Sequence, residues 1–235
     1  MISLEKKEKN IVKSGIKLSF LTLISRILGV IREATKAHFL GTSGLADAFG
    51  VAFLIPNLLR RLFAENSISV AFIPTFRGYL EESREKKETQ DFLNSTFTLI
   101  TFLTTAVVIA GILITPFIVK IFYNDVEQAV IQETIILTRI MFPYLIVISI
   151  AALFQGILNT MNIFSPSGFT PILFNLCVIA GTVFLSKKME NPARAMSVGV
   201  ITGGVVQAVF QLPFVLKYGW KVSLTSFKKT FSNEG

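Results

Sequence analysis

Cysteine and histidine are almost absent from this sequence, which has one of each in 235 residues. The single cysteine, Cys177, lies inside an apolar run, so the chain offers neither a disulfide framework nor a cysteine metal site. The lone His38 has no carboxylates near it in sequence that would help it anchor a metal ion. We therefore expect no metal site and no cofactor.

The sequence also lacks the residue groups that mark catalysis. It contains no nucleophile with a base partner, no glycine-rich phosphate loop and no cluster of His, Cys and carboxylates. We expect a protein that is not an enzyme. The net charge of +8 does not indicate nucleic-acid binding, because the basic residues lie at the edges of apolar stretches rather than in a folded aqueous module. No nucleic-acid partner is expected.

Charged residues are scarce, at 16%, whereas hydrophobic residues make up 51% and Phe alone occurs 22 times. Such a balance would leave a soluble domain of this size short of polar surface, so we predict an integral membrane protein. Six apolar stretches are long enough to cross the hydrocarbon core as helices. They cover residues 18–40, 46–65, 95–119, 135–159, 169–186 and 195–216. Because these stretches lack period-2 alternation, the prediction is an all-α bundle of six transmembrane helices.

The six stretches divide the chain into a basic N-terminal segment (1–17), a transmembrane lobe (18–216) and a basic tail or truncated linker (217–235). Lys and Arg concentrate before the first stretch, after the second and after the sixth, which all fall on one side of the membrane. The positive-inside rule makes that side cytoplasmic, with the N-terminus. The fifth connection is an exception to the positive-inside rule. It places three basic residues on the side predicted to be external: Lys187, Lys188 and Arg194.

The first two stretches carry ionisable residues at membrane depth, where an arginine near a helix centre costs about 2.5 to 3.5 kcal/mol. These residues are Arg26, Arg32, Glu33, Asp47, Arg60, Arg61 and Glu65. Asn57, Arg61 and Glu65 repeat at four-residue spacing along one helix face. For Arg61 and Glu65 we favour an ion pair near the membrane boundary.

Two interpretations stay open for Arg26, Arg32 and Arg60. They form buried ion pairs with Glu33 or Asp47, or they line a basic, hydrated cavity that receives an anionic head group. Arginine suits the second role because its planar fork donates two hydrogen bonds to a phosphate at once. The first interpretation is structural and the second is functional.

The later stretches carry packing signals. The third stretch is uncharged and is expected to face lipid or act as scaffold, and Pro143 is expected to kink the fourth helix. A stripe at four-residue spacing in the sixth stretch favours close helix packing with glutamines bonding across the contact; it consists of Gly199, Gly203, Gln207 and Gln211. Three asparagines are expected to cap helix ends rather than line a cavity: Asn159, Asn162 and Asn175.

Five segments carry a family resemblance. They are SRILGVIRE (25–33), ADAFGVAFLIPNLLRRLFAE (46–65), AFIPTF (71–76), the run from MFPYLIVISI to FTPILFN (141–175) and GGVVQAVFQLP (203–213). Together they resemble the MurJ/MviN family, the lipid II flippases of the multidrug/oligosaccharidyl-lipid/polysaccharide exporter superfamily. The resemblance implies alternating-access transport of the undecaprenyl-pyrophosphate-linked peptidoglycan precursor across the bacterial cytoplasmic (inner) membrane, from the inner to the outer leaflet.

The resemblance also assigns residues and partners. It places the basic residues that the family requires on Arg26, Arg32 and Arg60, and its acidic residue on Asp47, with Glu33 a looser match. Family members have two related six-helix lobes, so we expect this chain to be a fragment or truncated reading frame that lacks its carboxy-terminal lobe. The other expected partners are lipid II, or a related anionic polyprenyl-linked glycolipid, and membrane lipids.

Two other functions stay open. The first is a flippase or exporter for another polyprenyl-linked glycan or for drugs, although a drug exporter would more naturally carry a buried acidic residue than one near a span end, where Asp47 lies. The second is a membrane scaffold that transports nothing and binds anionic lipid through the same arginines. Reaction of cysteines at positions 26, 32 and 60 with water-soluble thiol reagents distinguishes a hydrated cavity from buried ion pairs.

Overall fold

The computed structural model describes residues 2–62, 68–82, 85–123 and 126–226, and all regular structure within these ranges is helical. The α-helices are α1 (Ile2–Leu40), α2 (Gly44–Arg60), α3 (Ile73–Glu81), α4 (Lys86–Ile121), α5 (Gln128–Met141), α6 (Tyr144–Thr160), α7 (Ser165–Leu185) and α8 (Pro192–Lys217). A π-helical turn, Ile68–Phe72, leads into α3. The all-α prediction is confirmed for the described ranges.

Four helical segments of the described chain are long and apolar enough to cross a membrane: Lys86–Ile121, Gln128–Thr160, Ser165–Leu185 and Pro192–Lys217. The chain is therefore a membrane protein. The first two predicted stretches do not meet this standard, because α1 carries several charged residues and α2 has only 17 residues. At 1.5 Å per residue, α2 is about 26 Å long, slightly short of a hydrocarbon core of about 30 Å. Length and apolarity alone do not establish the predicted count of six.

The fourth predicted stretch, 135–159, consists of two helices rather than one. α5 ends at Met141, α6 begins at Tyr144, and Pro143 is the residue that precedes α6. Proline lacks a backbone N–H and its ring clashes with the preceding turn, so the helix breaks here. Phe142, at the break, is fully buried against α4, where its ring would lie 2.4 Å from a Cβ added to Gly111. The interruption between α5 and α6 lies at the position where the kink was predicted.

α7 and α8 form the most extensive helix contact of the described lobe. A Cβ added to Gly199 would lie 3.0 Å from the Cα of Val178, and one added to Gly181 would lie 2.8 Å from the Cα of Gly199. A Cβ on Gly203 would come within 2.8 Å of the Phe174 ring. Only glycine permits this approach, so the close packing predicted for Gly199 and Gly203 is confirmed. The predicted glutamine bond across this contact is not formed by Gln211, whose Nε2 donates to the carbonyl oxygens of Ala151 on α6 and Gln207 on its own helix.

One end of the bundle gathers eight basic residues of the described chain. The start of α7 packs there on the first half of α1, and Trp220, which follows α8, packs on α3 and on the end of α6. The end of α2 lies there as well, because the start of α2 contacts Val130 of α5 at the opposite end. The basic residues at this end are Lys17, Arg60, Arg61, Arg77, Lys86, Lys87, Lys217 and Lys221. We call it the basic end.

Apolar contacts fill three clusters inside the lobe. The first cluster lies among α2, α5, α6, α7 and α8. The second cluster joins the π-helical turn, α3 and α4 to α6 and Trp220. The third cluster joins α2 to α4, α5 and α6. α4 also exposes large apolar side chains, of which Phe117 is 72% and Ile121 80% exposed. A soluble protein rarely exposes so many apolar side chains together. This surface suits lipid contact, as predicted for the third stretch.

Candidate functional site

Arg32 is held by partners on two helices. Its Nη2 and Nε donate to Oε1 of Glu33 at 2.7 and 3.3 Å, and its Nη1 donates to Oδ1 of Asn175 on α7 at 3.1 Å. Nδ2 of Asn175 in turn donates to the carbonyl oxygen of Ser25 at 3.1 Å. Asn175 therefore ties α7 to α1 and does not cap a helix, contrary to the prediction. The ion pair left open for Arg32 exists, but it is not buried, because the Glu33 side chain is 58% exposed.

A small cavity of about 140 Å³ opens beside Arg32. Arg32, Glu33 and Lys36 form its polar side, and apolar residues of α2, α7 and α8 form the rest. Nζ of Lys36 lies 5.7 Å from the centre of the Phe49 ring, within the range of a cation–π contact. Two cations and one carboxylate give this cavity a net positive wall.

Asp47 lines a different cavity, of about 550 Å³, near the start of α2. It shares this cavity with Lys36 and Tyr123, so the structure places it near a lysine and not near Arg60. Burial raises the pKa of Tyr123, the hydrogen bond between its hydroxyl and Thr134 lowers it, and the Asp47 carboxylate raises it further. The acidic residue thus lies at the end of the lobe opposite to the basic end.

Arg60 lies in the last turn of α2, where its Nε donates to Oδ1 of Asn57 at 3.0 Å. Its side chain lines a cavity of about 280 Å³ that is bounded by the π-helical turn, α6, α7 and α8. We call this the Arg60 cavity. Its other polar side chains are Gln155, Asn159, Ser167, Thr170, Gln207 and Gln211. Arg60, one of the ionisable residues that the sequence analysis singled out in the second stretch, therefore lies at a polar cavity inside the lobe.

Arg26 and Arg61 are exposed, and neither lines the cavities that contain Arg32, Arg60 or Asp47. Arg26 precedes Arg32 by six residues, or about 9 Å of helix rise. Glu65, the predicted partner of Arg61, lies outside the described residues. The predicted site residues thus do not surround a single cavity of this lobe but occupy three cavities and an exposed surface.

An ion cluster that sequence reasoning missed joins α5 to α8 at the end opposite to the basic end. Nε and Nη2 of Arg194 donate to Oε1 and Oε2 of Glu133, both at 2.9 Å, and Arg194 also pairs with Glu190. Nδ2 of Asn191 donates to Oε1 of Glu133 at 2.9 Å. Arg194, which the sequence presented only as a basic loop residue, is thus a bidentate partner that lies 61 positions from its carboxylate.

Comparison with known proteins gives one family. The family described as "MurJ: Lipid II flippase MurJ" matches residues 36–233. A probable lipid II flippase MurJ from Treponema pallidum is 47% identical over an alignment of 235 positions, which covers 98% of this chain and 44% of that protein. A probable lipid II flippase MurJ from Vibrio cholerae is 36% identical over an alignment of 230 positions. That alignment covers 91% of this chain and 44% of the Vibrio protein.

A solved structure, titled lipid II flippase MurJ in an inward closed conformation, matches with a TM-score of 0.73 and 26% identity over 93% of this chain and 46% of that chain. The chain thus spans somewhat less than half the length of the relatives that it matches. Since the family match covers most of the chain and the relatives exceed 30% identity over nearly all of it, the chain belongs to the lipid II flippase MurJ family.

Proposed function

We propose that this chain is the amino-terminal lobe of a lipid II flippase. In this proposal the lobe takes part in moving the undecaprenyl-pyrophosphate-linked peptidoglycan precursor from the inner to the outer leaflet of the bacterial cytoplasmic membrane. The observation that carries the proposal is that Arg32 and Arg60 each line a cavity and are each oriented by an asparagine amide, Asn175 and Asn57. A fixed guanidinium fork is suited to a pyrophosphate.

Each site residue has a role in this proposal. Arg26, Arg32 and Arg60 bind the pyrophosphate and the acidic groups of the head group, while the prenyl tail stays in lipid. Asn57 and Glu33 orient Arg60 and Arg32 through the hydrogen bonds described above. Two further residues, Asp47 and Arg61, contribute charge at the two ends of α2.

The proposed topology has six membrane crossings. α1 and α2 supply two of them, α5 and α6 together supply one, and α4, α7 and α8 supply the others. Residues 1–17 and 217–235 lie on the cytoplasmic side of the lobe, which spans 18–216. The concentration of Lys and Arg at the basic end supports this orientation through the positive-inside rule.

Transport in this proposal requires a second lobe. Rocking of the two lobes around a head-group site between them alternates access between the two sides of the membrane. The membrane potential, worth about 2.3 kcal/mol per charge per 100 mV, helps to reset the empty carrier. Exposed Arg26 and Arg61 are then placed on surfaces that the second lobe can approach.

The test is complementation in cells whose own lipid II flippase can be depleted. The chain is expressed alone and joined to the carboxy-terminal lobe of a full-length relative, and rescue is expected only from the joined form. Arg32→Ala or Arg60→Ala in the joined form should abolish lipid II translocation and leave membrane insertion intact. Arg77→Ala is the matched control, because Arg77 is 61% exposed and its ion pair with Glu81 lies along its own helix. Normal lipid II translocation by both cavity variants would refute the assignment.

A further inference from the structure

An arginine on the surface of α5 has no role in the proposed function. Arg139 is exposed, lies in the last turn of α5 and belongs to the apolar stretch 135–159. The only carboxylate within α5, Glu133, is bonded to Arg194. Glu127, which precedes α5, lies about 18 Å of helix rise away from Arg139. The charge of Arg139 therefore needs a partner from outside α5, because an isolated charge on an apolar surface is costly.

Arg139 is anchored by a backbone carbonyl that a proline leaves free. Pro116 lies inside α4 and has no N–H, so the carbonyl oxygen of Ile112, four residues earlier, lacks its helical donor. Nε of Arg139 donates to this oxygen at 3.3 Å. Its terminal nitrogens, Nη1 and Nη2, form no hydrogen bond or ion pair with any described residue. The contact fixes the guanidinium and leaves its outer N–H groups for a second partner.

This contact lies inside the apolar layer of the membrane. Arg139 follows the start of the stretch 135–159 by about 6 Å of helix rise, and Ile112 precedes the end of the stretch 95–119 by about 10 Å. Half of the hydrocarbon core is about 15 Å thick. The guanidinium therefore lies within the leaflet opposite to the basic end, where snorkelling and local thinning bring an arginine and a lipid phosphate together.

Two glutamines continue the polar surface from Arg139 towards the membrane boundary. At about 100° per residue, Gln128, Gln132 and Arg139 lie within about 40° of one another on α5, and all three are exposed. An amide both donates and accepts hydrogen bonds. This face of α5 therefore offers hydrogen-bond partners along the whole path from the boundary to the arginine.

Lys120 adds a second positive charge beside this path. It is exposed, lies in the last turn of α4 and follows Ile112 by two turns on the same side of the helix. α4 has no acidic residue after Asp91. Leu113 and Phe117 are exposed on the same part of α4 and give it an apolar surface. Two cations and an apolar surface thus occur together at the outer part of the α4–α5 contact.

These features fit an anionic phospholipid. The outer N–H groups of Arg139 suit a phosphate, because the guanidinium fork donates two hydrogen bonds at once. A head group that carries its own cation gains less, since Lys120 repels it. The exposed apolar side chains of α4 contact the acyl chains, which a free phosphate lacks.

We propose that Arg139, Lys120 and Gln132 form a binding site for an anionic phospholipid, with Nη1 and Nη2 of Arg139 donating to its phosphate. The site lies in the leaflet opposite to the basic end, which is the outer leaflet in the proposed topology. It is separate from the three cavities that contain Arg32, Arg60 and Asp47. The bound lipid connects α4 to α5 next to the break between α5 and α6, whatever substrate the lobe handles.

The test is native mass spectrometry of the purified 235-residue chain from detergent micelles that contain equal amounts of phosphatidylglycerol and phosphatidylcholine. The parent chain should retain phosphatidylglycerol in preference. Arg139→Gln should weaken that retention about tenfold, the usual effect of one hydrogen bond to a charged group. Lys120→Gln leaves the bond between Arg139 and Ile112 in place, and it should lower the preference for phosphatidylglycerol and leave phosphatidylcholine retention unchanged.

Lys188→Gln is the matched control. Lys188 is an exposed cation at the same end of the lobe, but it lies in the connection between α7 and α8. This variant should retain phosphatidylglycerol as the parent does, and thermal unfolding verifies the fold of all three variants. Excess glycerol 1-phosphate should not displace the lipid.

Three results would overturn the inference. The first is equal retention of the two lipids by the parent chain, or equal retention of phosphatidylglycerol by the parent, Arg139→Gln and Lys120→Gln. The second is displacement of the lipid by glycerol 1-phosphate, which would indicate a site for free anions. The third is a lipid-free dimer that Arg139→Gln dissociates, which would mean that a second copy of the chain covers this surface.

Discussion

Glu133 is expected to be the most important ionisable residue for the stability of the lobe. Its side chain is 13% exposed and receives two hydrogen bonds from Arg194 and one from Asn191. These contacts hold α5 and α8 together at the end opposite to the basic end. Loss of either Glu133 or Arg194 would leave the other charge uncompensated in a poorly hydrated environment.

The magnitude follows from the bonds that each substitution removes. Glu133→Gln keeps one oxygen as an acceptor but loses the charge and the bond from Nη2 of Arg194, which is worth about 1.5 to 3 kcal/mol for a bond to a charged group. Glu133→Ala removes all three bonds and should cost about 3 to 5 kcal/mol. For a chain of this size, a loss of about 2 kcal/mol lowers the unfolding temperature by roughly 4 to 8 °C.

Glu190 provides the matched control. It pairs with the same Arg194 but is 71% exposed, and an exposed ion pair is worth about 1 kcal/mol or less. Thermal unfolding of the purified chain in detergent should therefore rank Glu133→Ala below Glu133→Gln, and Glu133→Gln below Glu190→Gln. Equal unfolding temperatures for the two glutamine variants would refute the conclusion that burial and bidentate geometry make Glu133 important.

Three further predictions concern helix packing, water access and the segment after α8. Gly199→Val should lower the unfolding temperature, because a Cβ there lies 3.0 Å from the backbone of α7 and overpacking costs about 1 to 3 kcal/mol. Gly50→Ala should have a far smaller effect, because a Cβ on Gly50 meets nothing within 4 Å. Equal changes in unfolding temperature for the two variants would contradict the packing argument. A cysteine at position 26 should react with a water-soluble thiol reagent faster than a cysteine at position 175, since Arg26 is exposed and Asn175 is 6% exposed. Equal reaction rates would contradict the burial of Asn175. Asn94→Ala should accelerate amide hydrogen exchange at Ser223, whose N–H donates to Asn94 Oδ1 at 3.1 Å, and unchanged exchange would contradict that contact.

Local chemistry made part of the fold predictable. Pro143 lies at the interruption between α5 and α6, although four other prolines, Pro56, Pro116, Pro171 and Pro213, lie inside helices that continue past them. Glycines at four-residue spacing permit close approach whatever the partner helix is. The membrane class likewise follows from composition alone. Each of these signals is contained within a few neighbouring residues, which explains why the sequence was sufficient to find them.

The partners of the polar side chains could not be predicted in this way. Arg32 meets Asn175 across 143 positions and Arg194 meets Glu133 across 61, and which helices are neighbours decides both contacts. The expectation that Asn175 caps a helix was wrong because the general preference of asparagine for helix ends does not apply to a buried side chain that links two helices. The spread of the predicted site over several cavities also depends on helix order, which hydropathy does not reveal.

The segment that follows α8 packs on α4 through backbone hydrogen bonds. Its backbone runs extended along α4: Lys221 bonds to Gln90 through both its N–H and its carbonyl, and the N–H groups of Ser223 and Thr225 donate to Asn94 and Thr98.

The spacing of these bonds is geometrically matched, since four helical residues rise about 6 Å and two extended residues span about 6.6 Å. α4 packs on α5 and α6, whereas α1 packs on α7. The described part of the segment, up to residue 226, therefore lies on the α4 side of the lobe. The described part of this segment bonds to α4, whereas Arg26 is exposed on α1.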